Sequence, residues 1–182
     1  MLENVKRSFA NLTTVRGLVL GAMLLALYGI LGTFKIPITP DNRITMTFAA
    51  TSVAGFVLGP VPALLVGGLG DILGYLGNTG GAAFFPGFTI SAMLSGLIYG
   101  MCFYKKPMKG MWWRIILAVF LITFFVNMLL NTFWMSILYQ KAYAFFAVAR
   151  IVKNLIAFPV HVVVIYALIA LAERSGIRKK YL

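Results

Sequence analysis

The chain has 182 residues, of which 61% are hydrophobic and 11% are charged. Soluble domains carry about 25% charged residues, so this composition excludes an ordinary soluble domain and predicts an integral membrane protein of one domain, residues 1–182. The net charge of +12 does not indicate a nucleic-acid partner, because the basic residues lie at the ends of apolar runs and form no soluble basic face.

Six apolar runs approach the length of about 20 residues that a helix needs to cross a bilayer. They are 17–34, 44–59, 61–77, 82–104, 115–139 and 154–172. The first run is too long for a signal peptide and no A-x-A-like site follows it, which predicts a retained span. The sequence therefore predicts an all-α membrane fold of six helices with both termini on one side.

The distribution of lysine and arginine predicts that this side is the cytoplasm. Eleven of the sixteen basic residues then lie inside, as the positive-inside rule requires, and five lie outside or at the outer edge of the last run. The inner set is Lys6, Arg7, Arg16, Lys105, Lys106, Lys109, Arg114, Arg174, Arg178, Lys179 and Lys180; the outer set is Lys35, Arg43, Lys141, Arg150 and Lys153. The positive-inside rule does not explain the five basic residues on the outer side.

The first run carries small residues at helical spacing, with Gly17-xxx-Gly21 followed by Ala22-xxx-Ala26. In lipid such a stripe allows another helix to approach closely. It serves either packing within the chain or docking onto a partner protein.

The segment FKIPITPDNRIT follows the first run and is predicted to face outward, since it is polar and contains two prolines. Arg43 in this segment is either an interfacial anchor or the cation of a lid over a binding site. The next two runs are short and meet at Gly59-Pro60-Val61-Pro62, which predicts a tight turn.

Asp71 is the one acidic residue clearly within a run. A carboxylate inside a membrane is costly unless it has a partner, so its presence indicates function. It either accepts hydrogen bonds from an amino-substituted heterocycle or pairs with an arginine such as Arg43, and both can hold. The glycines around it predict a flat face for close helix approach: Gly67, Gly70, Gly74 and Gly77.

Polar and aromatic residues in the later runs are candidates for a pocket. Asn127 and Asn131 share a helix face and either line a pocket or bond between helices. The aromatic residues either stack on a flat ligand or pack in the core or the interface belt: Phe84, Phe85, Phe88 and Trp134.

Arg150 and Lys153 are three residues apart and therefore share a helix face. Two cations on one face repel each other unless an anion lies between them. The pair thus predicts a clamp for a ligand carboxylate, with Arg150 offering a bidentate fork. The alternative is that both side chains snorkel to the outer headgroups.

Catalytic and metal chemistry find little support. The chain contains no G-x-x-x-x-G-K-[ST], H-E-x-x-H or G-x-S-x-G stretch, and only four acidic residues. His161 has no second histidine to complete a metal site and is interpreted as structural, while a lone cysteine, Cys102, excludes an internal disulfide. The sequence predicts that the chain is not an enzyme.

Four stretches together are typical of a known family. They are AMLLA at 22–26, GPVPALLVGGLGDILGYL at 59–76, FFPGFT at 84–89 followed by LIYG at 97–100, and Arg150-x-x-Lys153 before Pro159. Across essentially its whole length the chain resembles the substrate-binding S components of energy-coupling factor (ECF) vitamin transporters, and their folate-specific branch in particular.

The resemblance implies a multi-pass protein of the cell membrane that binds folate or a reduced folate from outside. It also implies a transmembrane coupling subunit and two ATPase subunits, which would bind ATP in place of this chain, and a toppling motion that releases the vitamin inward. Pro86 would begin the fourth helix late, so that a loop over 77–85 brings Phe84 and Phe85 over the ligand.

A pterin ring suits the aromatic residues and Asp71, and a glutamate tail suits the cations. The implied substrate site is Arg150, Lys153, Asp71, Arg43, Phe84, Phe85, Pro86, Phe88, Asn131 and Trp134, with Ala22 and Ala26 at the partner interface.

Three other functions stay open. An S component for riboflavin is one, since riboflavin is flat and neutral, whereas the basic outer side argues against cationic thiamine. A small enzyme acting on lipid headgroups would need a nucleophile with a base, or metal ligands, near one membrane face. A purely structural subunit would not need Asp71 within a span or outward cations.

Overall fold

The structure, a computed structural model, describes residues 2–39, 42–77, 84–140 and 143–177. For 2–4, 7, 35–39, 42–44, 143–149 and 152 it describes the backbone alone. The helices in this part of the chain are α1 (Leu2–Thr13), α2 (Val15–Thr33), α3 (Thr47–Val57), α4 (Pro60–Gly77), α5 (Pro86–Phe103), α6 (Met111–Leu121), a π-helix (Ile122–Leu130), α7 (Asn131–Tyr139) and α8 (Tyr143–Arg174). Two short strands, β1 (Lys35–Thr39) and β2 (Asn42–Thr45), form an antiparallel hairpin between α2 and α3.

Five helical stretches of the described residues are long and apolar enough to cross a membrane. They are Val15–Thr33, Pro60–Gly77, Pro86–Phe103, Met111–Tyr139 and Lys153–Arg174. The second predicted run, 44–59, corresponds to α3, which has only 11 residues and rises about 17 Å. A helix this short does not cross a hydrocarbon core of about 30 Å by itself. Most of its side chains are buried, so the rest of the protein surrounds it.

The helix boundaries follow from local chemistry. The hydroxyl of Thr14 accepts a hydrogen bond from the Gly17 amide and caps α2. The predicted tight turn is confirmed, because Gly59 takes a left-handed conformation (φ +99°) and Pro60 begins α4. Pro86 likewise begins α5, four residues later than the start of the predicted run 82–104.

Close approach of α3, α4 and α5 depends on glycines that face backbone. A Cβ on Gly96 would meet the carbonyl of Ala63, and a Cβ on Gly67 would lie 2.5 Å from the carbonyl oxygen of Ala92. Gly55 faces the backbone of Gly100, where a Cβ would lie 2.7 Å from the amide nitrogen. These helices therefore pack backbone against backbone.

Only part of the predicted flat glycine face of α4 contacts other helices. Gly67 and Gly70 touch neighbouring helices, and Gly70 lies against the ring of Tyr28 on α2. Gly74 and Gly77 have nothing within 4 Å of an added Cβ. Only the first half of this face therefore packs against other described residues.

The helix α1, which the sequence analysis did not anticipate, packs on the α3–α4 turn. The Ser8 hydroxyl is buried, donates to the Leu58 carbonyl at 3.2 Å and accepts from the Val61 amide at 3.1 Å. The Asn11 amide nitrogen donates to the same carbonyl at 2.9 Å and to the Tyr104 hydroxyl at 3.2 Å. These bonds join α1, the α3–α4 turn and the end of α5 at one end of the molecule.

The last two spans differ in extent from the predicted runs. The fifth begins at Met111 rather than at 115 and is interrupted by the π-helix. The sixth run, 154–172, lies inside α8, which starts at Tyr143 and contains Pro159. The extra turns of α8 bring Arg150 into a continuous helix with Lys153.

Candidate functional site

A cavity of about 330 Å³ lies between the hairpin and the middle of the helix bundle. All five spans, together with α3 and β2, contribute residues to its wall. Small-molecule sites enclose about 300–1,000 Å³, so this cavity has the size of a binding site. The helix α1 and its hydrogen bonds lie at the opposite end of the molecule.

Asp71 lies on this wall, as a substrate-binding residue should. One of its oxygens, Oδ2, accepts a hydrogen bond from the Thr89 hydroxyl at 2.8 Å, and Thr89 is itself buried. A carboxylate offers about four acceptor positions, so a single hydroxyl leaves acceptor capacity beside the cavity. The alternative partner, Arg43, has a backbone position opposite Pro37 in the hairpin, and its side chain lies outside the description.

Three asparagines place amide groups on the cavity wall. Asn131 Nδ2 donates to Asn127 Oδ1 at 3.1 Å, while Asn131 Oδ1 and Asn154 Nδ2 are buried without a hydrogen-bond partner. A buried polar group without a partner costs about 1–3 kcal/mol. Asn131 and Asn154 thus carry this cost at two enclosed amide atoms.

The two cations of the predicted clamp occupy different positions. Lys153 lies on the cavity wall, next to Asn154 in α8. Arg150 is buried, with 8% of its surface exposed, and its Nη1 donates to the backbone carbonyl of Asn127 at 3.0 Å. Arg150 is not among the residues of the cavity wall. The structure thus brings Lys153 to the cavity and Arg150 to the π-helix.

The aromatic residues before and within α5 contact one another. The Phe85 ring lies 5.7 Å from the Trp134 ring and 5.9 Å from the Phe88 ring. The Trp134 indole donates to the Ser91 hydroxyl at 3.2 Å. Gly87 makes this arrangement possible, since a Cβ there would lie 2.5 Å from both the Phe85 and Trp134 rings. Of the four predicted aromatic residues, Phe88 lies on the cavity wall.

The remaining residues of the predicted aromatic segment lie off the wall. Phe84 is exposed and packs on Tyr75, with ring centres 5.1 Å apart, and Pro86 is the exposed first residue of α5. The predicted loop over 77–85 falls largely on 78–83, outside the described residues.

Several wall residues were not predicted from sequence. His161, interpreted as structural, lies on the cavity wall, and its ring centre is 4.0 Å from that of Phe48, with the two rings tilted by 38°. Together with Lys153, Asn154 and Ala157 it follows the spacing of one helix face, a signal that was present in the sequence. Hydroxyl groups from α3, β2 and α5 complete the polar part of the wall: Thr45, Thr47, Thr51, Ser91 and Ser95.

Ala22 and Ala26, the predicted partner-interface residues, are both exposed on α2. The buried residues of that helix are Gly17, Leu24 and Tyr28. The two alanines therefore face lipid or a partner rather than the described core.

Comparison with known proteins gives a family and several relatives. The family model described as ECF transporter, substrate-specific component, matches residues 16–169. A folate transporter FolT of Clostridium novyi is 41% identical over 142 residues, which cover 78% of this chain and 81% of that protein. Another FolT, from Leuconostoc mesenteroides, is 35% identical over 176 residues and covers 92% of both.

Solved structures agree with the sequence relatives. A crystal structure of FolT bound with folic acid matches with a TM-score of 0.77 and 35% identity, covering 85% of this chain and 93% of that one. The S component of a bacterial ECF transporter matches in fold, with a TM-score of 0.65 and 22% identity over 87% of this chain and 93% of that one. The predicted all-helical membrane fold is confirmed, with the short hairpin as an addition.

Proposed function

This chain belongs to the family of ECF transporter substrate-specific components, and from that premise we propose that it binds folate at the outer side of the membrane. Membership confirms two predictions, that the chain is a multi-pass membrane protein and that it works in transport rather than as an enzyme. Relatives at 41% and 35% identity are folate transporters, which favours folate over riboflavin.

The observation that carries the proposal is the cavity wall, which combines an acidic residue, a basic residue and three asparagines. Asp71 suits the amino-substituted edge of a pterin ring, because a carboxylate accepts from N–H groups. Lys153 suits the glutamate tail, which carries two carboxylates, because a charge-assisted hydrogen bond is about twice as strong as a neutral one. Phe88 and Phe48 offer ring faces between them.

The remaining partners follow from the family. Substrate delivery requires a transmembrane coupling subunit, for which the exposed Ala22 and Ala26 on α2 supply a close-approach surface. Two ATPase subunits bind ATP, so this chain needs no cofactor of its own. Arg43, on the hairpin beside the cavity, adds positive charge near the path of an anionic substrate.

Titration calorimetry of the purified protein in detergent tests the proposal, with folate, riboflavin and thiamine as ligands. We expect folate to bind and the other two vitamins not to bind. Lys153→Ala should weaken folate binding about tenfold or more, since it removes one charge-assisted contact. The matched control is Lys109→Ala, because Lys109 is exposed and far from the cavity.

The possible results separate the proposals. Binding of another vitamin in place of folate would keep the family and overturn the folate assignment. Binding of none of the three by a folded sample would overturn the proposed substrate class. Equal folate affinity of Lys153→Ala and the wild type would overturn the role of the lysine.

A further inference from the structure

The π-helix is the irregular part of the fifth span, and it borders the cavity. At its end the Asn131 amide donates to the Val126 carbonyl, five residues back, after which the chain returns to the α-helical spacing of four. A step from five to four leaves one carbonyl without its helical donor. Such wide turns occur frequently at functional sites.

The carbonyl that receives other donors here is that of Asn127. The Thr132 hydroxyl donates to it at 3.3 Å, and Arg150 Nη1 of α8 donates to it at 3.0 Å. Both donors are buried, and Thr132 is 0% exposed. Two helices therefore meet at a single backbone oxygen within the membrane.

Asn127 also belongs to the cavity wall. Its Oδ1 accepts from Asn131 Nδ2, so the two amides form one unit on the wall. Neither Arg150 nor Thr132 is among the wall residues. The bonds from Arg150 and Thr132 to the Asn127 carbonyl thus connect both residues to the wall through the backbone of Asn127.

We propose that Arg150 is a positioning residue, which with Thr132 fixes the wide turn of the π-helix so that the Asn127–Asn131 amide pair faces the ligand. Arg150 then does not clamp a ligand carboxylate, and Lys153 alone of the two cations contacts it. This inference takes its ligand, folate, from the proposed function. It adds that the two cations have different roles: Lys153 contacts the ligand and Arg150 positions the wall.

A double-mutant cycle tests whether Arg150 acts through Asn127. Arg150→Met and Asn127→Ala should each weaken folate binding about tenfold, and the double variant should bind no more weakly than either one, since residues that act together are not additive. Additive losses would overturn the proposal. Arg150→Lys should restore part of the affinity, because a lysine still offers a donor to the carbonyl.

Pteroic acid amide separates positioning from clamping, since it keeps the pterin and aminobenzoyl groups of folate but carries no carboxylate. Arg150→Met should weaken the binding of folate and of pteroic acid amide by the same factor. Lys153→Ala should weaken folate binding and leave the binding of pteroic acid amide nearly unaffected. A loss at Arg150 that is confined to folate would show a clamp and overturn the proposal.

Thr132→Val provides a variant that keeps the charge of Arg150 and conserves shape. We expect a loss of about two- to fivefold for both ligands, since one neutral hydrogen bond is removed. Thr13→Val is the matched control, because that hydroxyl donates to the carbonyl three residues back, Ala10, at the far end of the molecule. Unchanged affinity in Thr132→Val would contradict the proposal.

Hydrogen exchange in the ligand-free protein gives a result that does not depend on folate. Arg150→Met and Thr132→Val should speed amide exchange across Ile122–Leu130 and the first turn of α7, with α6 unchanged. Exchange equal to the wild type would overturn the positioning role. If the wild type binds neither folate nor pteroic acid amide while the two variants still exchange faster than the wild type in this region, the proposed function alone is overturned.

Discussion

Asp71 illustrates how a single residue in this chain can be interpreted before its surroundings are known. A carboxylate within an apolar run has few stable environments. A polar environment for Asp71 could therefore be predicted, although its particular neighbours, the cavity and Thr89, could not. The same holds for Lys153. The position of an aromatic residue is harder to predict, because a ring packs equally well on a ligand or on another ring. In this structure the Phe85 ring packs on the Trp134 ring.

The first prediction concerns the charge of Asp71. Asp71→Asn keeps the shape and one acceptor but removes the negative charge, so we expect folate affinity to fall about 10- to 100-fold, as for the loss of a hydrogen bond to a charged group. Calorimetry measures it. Glu173→Gln, the same change at the far end of α8, is the control and should bind as the wild type does; an unaltered affinity in Asp71→Asn would refute the role.

At the scale of elements, hydropathy indicated where helices lie but not how they are built. The runs 17–34 and 61–77 coincide closely with α2 and α4, because a continuous apolar run in a membrane has little choice but to be helical. The π-helix was not predictable, since ITFFVNMLL is apolar and would suit an α-helix equally well. The contact that accompanies it, the bond from Arg150 of α8 to the Asn127 carbonyl, is not contained in a one-dimensional pattern.

The second prediction tests the contact between α4 and α5. In Gly96→Ala the new Cβ meets the backbone carbonyl of Ala63, which cannot rotate away, so the helices must separate. We expect a loss of about 1–3 kcal/mol, the usual cost of overpacking, and a lower melting temperature in detergent.

Gly74→Ala is the matched control for that contact. It places the same methyl group on α4, where nothing lies within 4 Å. Because alanine favours a helix over glycine by up to about 1 kcal/mol, this variant should melt at the wild-type temperature or above. Equal destabilisation by both substitutions would contradict the packing explanation.

At the scale of the whole molecule, the structure separates two ends, and the predicted orientation assigns them to the two sides of the membrane. The bonds of α1 place Ser8, Leu58 and Tyr104 at one end, and the cavity lies toward the hairpin at the other. Charge counting predicts that the first end is cytoplasmic. The enclosed volume between helices could not be predicted from the sequence, because it depends on how several helices of similar composition pack together.

The third prediction tests this orientation. In a Cys102→Ser background, Gln140→Cys should react in intact cells with a membrane-impermeant maleimide, since this exposed residue follows α7 on the predicted outer side. Lys109→Cys, exposed between α5 and α6, should react only after the membrane is opened. The reverse pattern would show that the cavity faces the cytoplasm.

The position of α1 has a consequence for how the protein is made. Its partners lie far along the chain, and Asn11 is 93 residues before Tyr104. At a synthesis rate of about 5–20 residues per second, α1 waits about 5–20 seconds on the ribosome before that partner exists. During this interval the Asn11 amide lacks its bond to the Tyr104 hydroxyl. The last bonds at this end thus form after α5 has been inserted, which makes the docking of α1 a late event in biogenesis.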